Sequence, residues 1–158
     1  MKLHLLRHAK TDQQSSTGRD FDRKLLPKGI VQGASLARYF TDTIVVNTVW
    51  CSEAARTRET LSIIQKSNEF ENVSYCQELY LCSRDVFLQK IWSLKHSDDL
   101  LIVGHNFGIS DLATYLTDVH VELKTGGYIC IEFQADSWEE TSRGMGEITA
   151  QFRPKVSL

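Results

Sequence analysis

Two arginines and two histidines stand where apolar runs stop: Arg7 and His8 after "KLHLL", Arg56 within "CSEAARTRET", and His105 in "VGHNFG". An arginine guanidinium is a planar fork of donors that matches phosphate oxygens and stays charged at any working pH, so two of them make a clamp. A neutral imidazole can attack phosphorus and hold the phosphoryl group covalently, splitting one hard transfer into two easier steps. Neighbouring arginines favour that neutral form, because like charge nearby disfavours imidazolium. A second histidine acting as a donor stabilises charge that grows on the oxygens in the transition state. Taken together the four residues point to phosphoryl chemistry. Taken singly each has a plainer account: a surface or capping histidine, a surface charge at Arg7, and Arg56 pairing with Glu53 or Glu59 at helical spacing.

Elements must bring these residues together. Residues 2–6 read as a strand and 28–40 as a helix following Pro27. The pattern repeats with a strand at 44–51 and a helix at 53–66, which places Ala54, Thr57, Leu61 and Ile64 on one side. A weaker strand at 73–76 leads through "QELYLCSRD" to a helix at 84–95. Residues 99–103 form an apolar run of the kind covered on both faces. A helix at 107–117 follows, then two alternating runs at 128–133 and 147–152, with "SWEETSRGMG" as the turn between them. This order predicts an α/β fold: a three-layer α/β/α sandwich with a mainly parallel central sheet and antiparallel strands near the C-terminus. In open α/β sheets ligands bind beyond the carboxyl ends of the strands, and the four residues fall at three such ends.

The chain has 158 residues, 42% hydrophobic and 24% charged, with 9 Gly and 2 Pro, which suits one domain over residues 1–158. The net charge is −2 with scattered basic residues, which argues against nucleic acid as a partner. No apolar run approaches the ~18 residues that a membrane span needs, so no membrane role is expected. "MKLHLLRHAK" is interrupted by His4 and Arg7 and lacks a small-residue cleavage site, so a mature N-terminus and a cytoplasmic location are expected. Cys51, Cys76, Cys82 and Cys130 form no C-x-x-C pair and are expected to be reduced and mostly buried. His4, His96 and His120 lack metal-ligand spacing, so neither a metal nor a cofactor is expected; His96 is expected to end a helix, favoured by its dipole.

"LLRHAK" resembles the R-H-G/A signature of the histidine phosphatase superfamily, also called the phosphoglycerate mutase-like fold. "CSEAARTRET" resembles its S-x-x-x-R-x-x-x-T segment, and "VGHNFGISDLATYL" its G-H-N-x-G-[IL] block. "DFDRKLLPKG" is similar to the D-x-x-R-x-L-x-x-x-G segment of the small SixA-type phosphohistidine phosphatases, and "KTGGYICIEF", "SWEE" and "GEITAQFRPK" also resemble that subgroup. The resemblance covers nearly the whole chain. It implies that His8 is the nucleophile that becomes phosphorylated, that Arg7 and Arg56 bind the phosphoryl oxygens, and that His105 completes the pocket. It leaves Arg23 either lining the entrance or pairing with Asp20 or Asp22. Asn106 and Thr125 become candidates to support the pocket, and Ser52 is expected to cap the helix carrying Arg56.

One departure carries information. Many members of the superfamily place a glutamate after the third strand, in an L-x-E context, as proton donor to an alcohol leaving group. Here "ELYLCSRD" has Leu81 at that place, and Glu78 nearby does not match the motif, although it stays a candidate. A leaving group of low basicity needs little help from an acid, and the imidazole of phosphohistidine can be protonated near neutral pH. The implied activity is a metal-independent phosphatase working through a phosphohistidine enzyme intermediate on protein phosphohistidine. Its partner would then be a phosphorylated protein, such as a histidine phosphotransfer domain, or a small phosphorylated molecule. A small-molecule phosphatase or mutase on the same fold, and a silent phosphate-binding module, are the alternatives. Retention of all four residues argues against the silent module, and the missing carboxylate argues against the mutase.

Overall fold

A computed structural model describes residues 1–157. The chain runs β1 (Lys2–Arg7), α1 (Pro27–Thr43), β2 (Thr48–Ser52), α2 (Ala55–Gln65), β3 (Asn72–Cys76), α3 (Arg84–Trp92), β4 (Leu100–Gly104), α4 (Gly108–Thr117), β5 (Tyr128–Phe133) and β6 (Gly146–Phe152). Short 3₁₀ turns lie at Asp20–Asp22, Gln77–Leu79 and Trp138–Glu140. The strands make one sheet of order β3-β2-β4-β1-β5-β6. β3, β2, β4 and β1 pair in parallel, whereas β5 is antiparallel to β1 and to β6. The expected fold class is therefore the one observed, with the antiparallel strands at the C-terminal end.

Burial follows from the strand positions. β4 lies between two parallel neighbours and is buried from Leu100 to Gly104, the continuous apolar run that double coverage requires. β6 at the edge alternates exposed and half-buried residues. Leu100 and Ile102 face a core shared with Phe87, Leu88 and Ile91 of α3 and Ile109, Leu112 and Leu116 of α4. Leu101 and Val103 face the other way, onto Leu36 and Phe40 of α1 and Leu61 and Ile64 of α2. The loop after β1 thus leads to one face and the loop after β4 to the other. Since β1 and β4 are adjacent, their carboxyl ends open a crevice at a topological switch point.

Several elements differ from expectation. β2 starts at Thr48 rather than at residue 44, because only 48–52 finds ladder partners on β3 and β4, and Val45 is 86% exposed. α3 ends at Trp92, so His96 lies beyond the helix, where its Nδ1 is 3.4 Å from an Asp98 carboxylate oxygen. The segment "SWEETSRGMG" is more than a turn: Trp138 is fully buried and its indole N–H donates to the Asp98 carbonyl at 3.2 Å. Cys51, Cys76 and Cys130 are buried, Cys82 is half-buried, and all four are free thiols. Among the described residues no helix is long and apolar enough to cross a membrane.

Candidate active site

The register of three strands builds the site. β4 pairs with β1, setting Gly104 opposite Arg7, and with β2, setting Val103 opposite Cys51. His8 and His105 therefore follow side by side, and Ser52, the residue after Cys51, lies level with Gly104, one residue short of them. The His8 N–H donates to the Gly104 carbonyl at 3.2 Å, and the His8 and His105 rings lie 5.4 Å apart between centroids at 54°. Both histidines are buried, as is Arg56 in the first turn of α2. Ser52 is not the cap of that helix. Because β2 extends to Ser52, the chain needs two more residues to turn, and Ala54 becomes the N-cap without a side-chain bond. The Thr57 hydroxyl covers the carbonyls of Ser52 and Ala54, at 2.7 and 2.9 Å, and the Ser52 hydroxyl instead lies 2.8 Å from His105 Nε2.

Both arginine forks are held from one end. Arg56 donates from Nη1 to the Asp20 carbonyl at 2.8 Å and from Nη2 to Asp20 Oδ2 at 3.0 Å. Its partner is thus Asp20 and neither Glu53 nor Glu59; a Glu59 carboxylate oxygen accepts the Leu25 N–H at 2.8 Å. Arg7 donates from Nη1 to the Leu123 carbonyl at 3.0 Å. The Nε of each arginine is buried without a partner among the described residues. A guanidinium carries donors along two usable edges, Nη1 with Nη2 and Nε with Nη2. In Arg56 the first is anchored on Asp20, which leaves the second to take two oxygens of a tetrahedral anion.

The imidazoles are prepared in a different way. His8 Nδ1 is 2.8 Å from the Ala9 carbonyl, which can only accept, so Nδ1 carries the hydrogen and Nε2 the lone pair. Burial pushes the His8 pKa down to about 3, and Arg56, Arg7 and Arg23 act in the same direction against the Ala9 hydrogen bond. Burial likewise lowers His105 to about 3, helped by His8 and Arg56 and opposed by Asp20. Both rings are neutral at pH 7. His105 Nδ1 is buried and has no partner among the described residues.

Asp20 ties the entrance together. Its carboxylate accepts from Arg23 Nη1 at 2.8 Å, Arg56 Nη2 at 3.0 Å and the Tyr80 hydroxyl at 2.5 Å. Burial alone would raise this carboxyl, but the three donors outweigh it and hold it well below the usual carboxylate range. Arg23 thus pairs with Asp20, while Asp22 pairs with Arg19 at 2.8 Å; Arg23 also reaches the Asp12 carbonyl and the Thr11 hydroxyl, at 2.6 and 2.7 Å. The Tyr80 ring meets His105 edge-on at 5.5 Å, with the Arg56 guanidinium 5.8 Å from its centroid. Sequence reasoning named Asp20 only as a partner for Arg23 and missed Tyr80, whose one signal is its place beside Leu81 beyond the third strand.

The other expected residues divide. Asn106 donates to the Leu123 carbonyl at 2.9 Å, the atom that also holds Arg7, so it supports the pocket from behind. Thr125 contributes through its backbone: its carbonyl accepts from Gln32 at 3.5 Å, and the following Gly126 N–H donates to the His8 carbonyl at 2.8 Å. Glu78 is bound to Lys90 at 2.9 Å, which lowers its carboxyl, and among the described residues it makes no hydrogen bond or ion pair with the four central residues. Leu81 is half-exposed with φ 48°. His4 is buried on β1 with Nδ1 2.7 Å from the Tyr128 hydroxyl. Among the described residues no group of three or more His, Cys, Asp or Glu is arranged to hold a metal ion.

The sequence model of the histidine phosphatase superfamily, branch 1, matches residues 3–80, a span that contains Arg7, His8, Asp20, Arg56 and Tyr80. An uncharacterized chloroplastic protein of Arabidopsis thaliana is 30% identical over 151 residues, which cover 88% of this chain and 69% of that protein. A solved candidate phosphohistidine phosphatase SixA from Nakamurella multipartitia superimposes with a TM-score of 0.85 at 24% identity, covering 98% of this chain and 96% of the other. The protein histidine phosphatase SixA complexed with tungstate gives a TM-score of 0.82 at 17% identity, with 97% of both chains covered. A candidate alpha-ribazole-5'-P phosphatase from Escherichia coli gives 0.70 at 17% identity, covering 93% of this chain and 97% of the other. At such identities the structural likeness speaks for the fold, while the sequence matches speak for descent: the chain belongs to the histidine phosphatase superfamily.

Proposed function

We propose that this protein is a phosphohistidine phosphatase that works through a phosphorylated His8 without a metal. The observation that carries the reading is that three of the four buried polar atoms without partners among the described residues, Arg7 Nε, Arg56 Nε and His105 Nδ1, belong to the side chains that act on His8, the arginines through their charge and His105 through its ring 5.4 Å away, the fourth being His4 Nε2. A buried donor left without an acceptor costs about 1–3 kcal/mol, and the oxygens of a bound phosphoryl group remove that cost at all three atoms. His8 Nε2, with its lone pair free, attacks phosphorus. The bond from phosphorus to the leaving group breaks, and its electron pair departs with that group. Water then attacks phospho-His8, the Nε2–P bond breaks with its electrons returning to nitrogen, and the protons of the water leave with inorganic phosphate. Charge growing on the oxygens is met by the two guanidinium edges and His105.

The leaving group is argued from what faces it. Asp20 is the carboxylate bound to Arg56, and its oxygens are occupied by Arg23, Arg56 and Tyr80, which keep it ionised and unable to supply a proton. Leu81 stands where a glutamate donor would be, and Glu78 is turned to Lys90. A substrate must then bring its own proton, as the imidazole of phosphohistidine can. The proposed partner is a phosphohistidine protein such as a histidine phosphotransfer domain, and the four free thiols fit a reducing, cytoplasmic setting.

The test is turnover of a phosphohistidine peptide against a phosphoserine peptide, with and without EDTA. The expected result is a kcat/KM at least about a hundredfold higher for phosphohistidine, insensitive to EDTA and abolished in His8→Ala. An active His8→Ala variant, or inhibition by EDTA, would overturn the mechanism. Comparable rates on both peptides would overturn the leaving-group argument and favour small phosphomonoesters.

A further inference from the structure

β4 sets His105 between two neighbours, with His8 on the β1 side and Ser52 on the β2 side. Ser52 is fully buried, and its Oγ lies 2.8 Å from His105 Nε2. A hydroxyl and an imidazole nitrogen can share this bond in two ways. If Nε2–H donated to Oγ, the Ser52 hydroxyl hydrogen would need an acceptor elsewhere. The other group that approaches Oγ is the Ala54 N–H at 3.5 Å, itself a donor. A buried hydroxyl hydrogen left without an acceptor carries the full desolvation penalty of that group. In the reverse arrangement the Ser52 O–H donates to Nε2, Oγ remains free to accept from Ala54, and both hydrogens have partners. The proton of the neutral ring then lies on Nδ1, the buried atom that has no partner among the described residues.

We propose that Ser52 is the positioning residue that fixes His105 as its Nδ1–H tautomer, so that this N–H is presented to a phosphoryl oxygen as charge develops there. The catalytic part rests on the phosphoryl-transfer reading above, whereas the tautomer rests on geometry alone. The two histidines then share one tautomer and use opposite edges. The Ala9 carbonyl occupies Nδ1–H of His8 and leaves Nε2 to attack; the Ser52 hydroxyl occupies Nε2 of His105 and leaves Nδ1–H to donate. Ser52 is itself held by the Thr57 hydroxyl, which donates to its carbonyl at 2.7 Å, and by its place at the end of β2.

The test uses the full chain labelled with ¹⁵N-histidine, whose long-range ¹H–¹⁵N spectra at pH 7 show which ring nitrogen carries the proton. Wild-type His105 is expected to be protonated at Nδ1, and Ser52→Ala to shift it toward the Nε2–H form. Ser52→Ala is expected to lower kcat about 10- to 100-fold with KM within about twofold, because the donor acts in the transition state. In a His105→Ala background the same substitution should cause no further loss, since Ser52 acts through that ring. Ser52→Cys, which keeps a weak donor at the site, should recover part of kcat. An Nε2–H tautomer in the wild type, an unchanged kcat in Ser52→Ala, or an equal further loss in the His105→Ala background would each overturn the proposal. If the wild type turned over no phosphorylated substrate, the phosphatase reading would fail while the spectra still decided the tautomer.

Discussion

The three buried histidines, His4, His8 and His105, should make this protein sensitive to mild acid. Burial lowers His4 from its ordinary 6.5 to about 4, and lowers His8 and His105 to about 3. In the unfolded chain all three return to an ordinary pKa of about 6.5. Between pH 6.5 and pH 4 the unfolded imidazoles therefore bind protons that the folded ones do not, and stability falls as pH falls. At pH 5.5 each unfolded imidazole holds about 0.9 proton against almost none in the fold. The difference of about 2.7 protons corresponds to a slope of about 4 kcal/mol per pH unit. Integrated from pH 7.0 to 5.5, the loss is also about 4 kcal/mol, a large share of the ~5–15 kcal/mol that holds a domain folded. Asp20, whose carboxyl is held down, adds to the loss only as pH falls through the ordinary carboxylate range. Urea unfolding followed by tryptophan fluorescence, in buffers free of phosphate and sulfate, measures the loss directly. His4→Phe should reduce the slope by about a third, because His4 supplies one of the three protons. An unfolding free energy that stays within about 1 kcal/mol from pH 7.0 to 5.5 would show the rings to be charged in the fold and refute the reasoning.

Arg56→Lys keeps the charge but cannot hold Asp20 with one edge while offering another to the substrate, so kcat/KM should fall about a hundredfold with little change in stability; a loss under about threefold in steady-state assays would show that the edge is not used. Gly29→Ala would set a Cβ 2.1 Å from the Lys10 carbonyl oxygen, which also accepts the Leu26 N–H at 3.0 Å and docks α1 onto the segment after His8. The expected loss is about 2–3 kcal/mol by urea unfolding, and an unchanged midpoint would mean that this contact yields easily.

Much of the fold was legible because its signals are local. Apolar runs and helical spacing report which residues an element buries, and they located Arg7, His8, Arg56 and His105 at strand ends before any pairing was known. Where the boundaries moved, as at residues 44–47 and 93–95, the residues had suitable propensity but no ladder partner or helix to continue. Glu78 looked available as an acid for the same reason: its chemistry can be read from the sequence, but its pairing with Lys90, twelve positions on, cannot.

By itself the sequence determined the chemical inventory, the α/β order of the elements and the absence of an acid at position 81, because each is written in residue type and short-range spacing. The tertiary structure alone decided how that inventory is aimed. Asp20 reaches Arg56 across 36 residues, and Ser52 reaches His105 across 53. Both contacts exist because β4 inserts between β2 and β1 and because the Asp20–Asp22 turn folds back over the carboxyl edge. Which edge of a guanidinium stays free, and which nitrogen of an imidazole keeps its proton, depends on the partner of the opposite atom, and that partner is chosen by strand order and register rather than by neighbours along the chain.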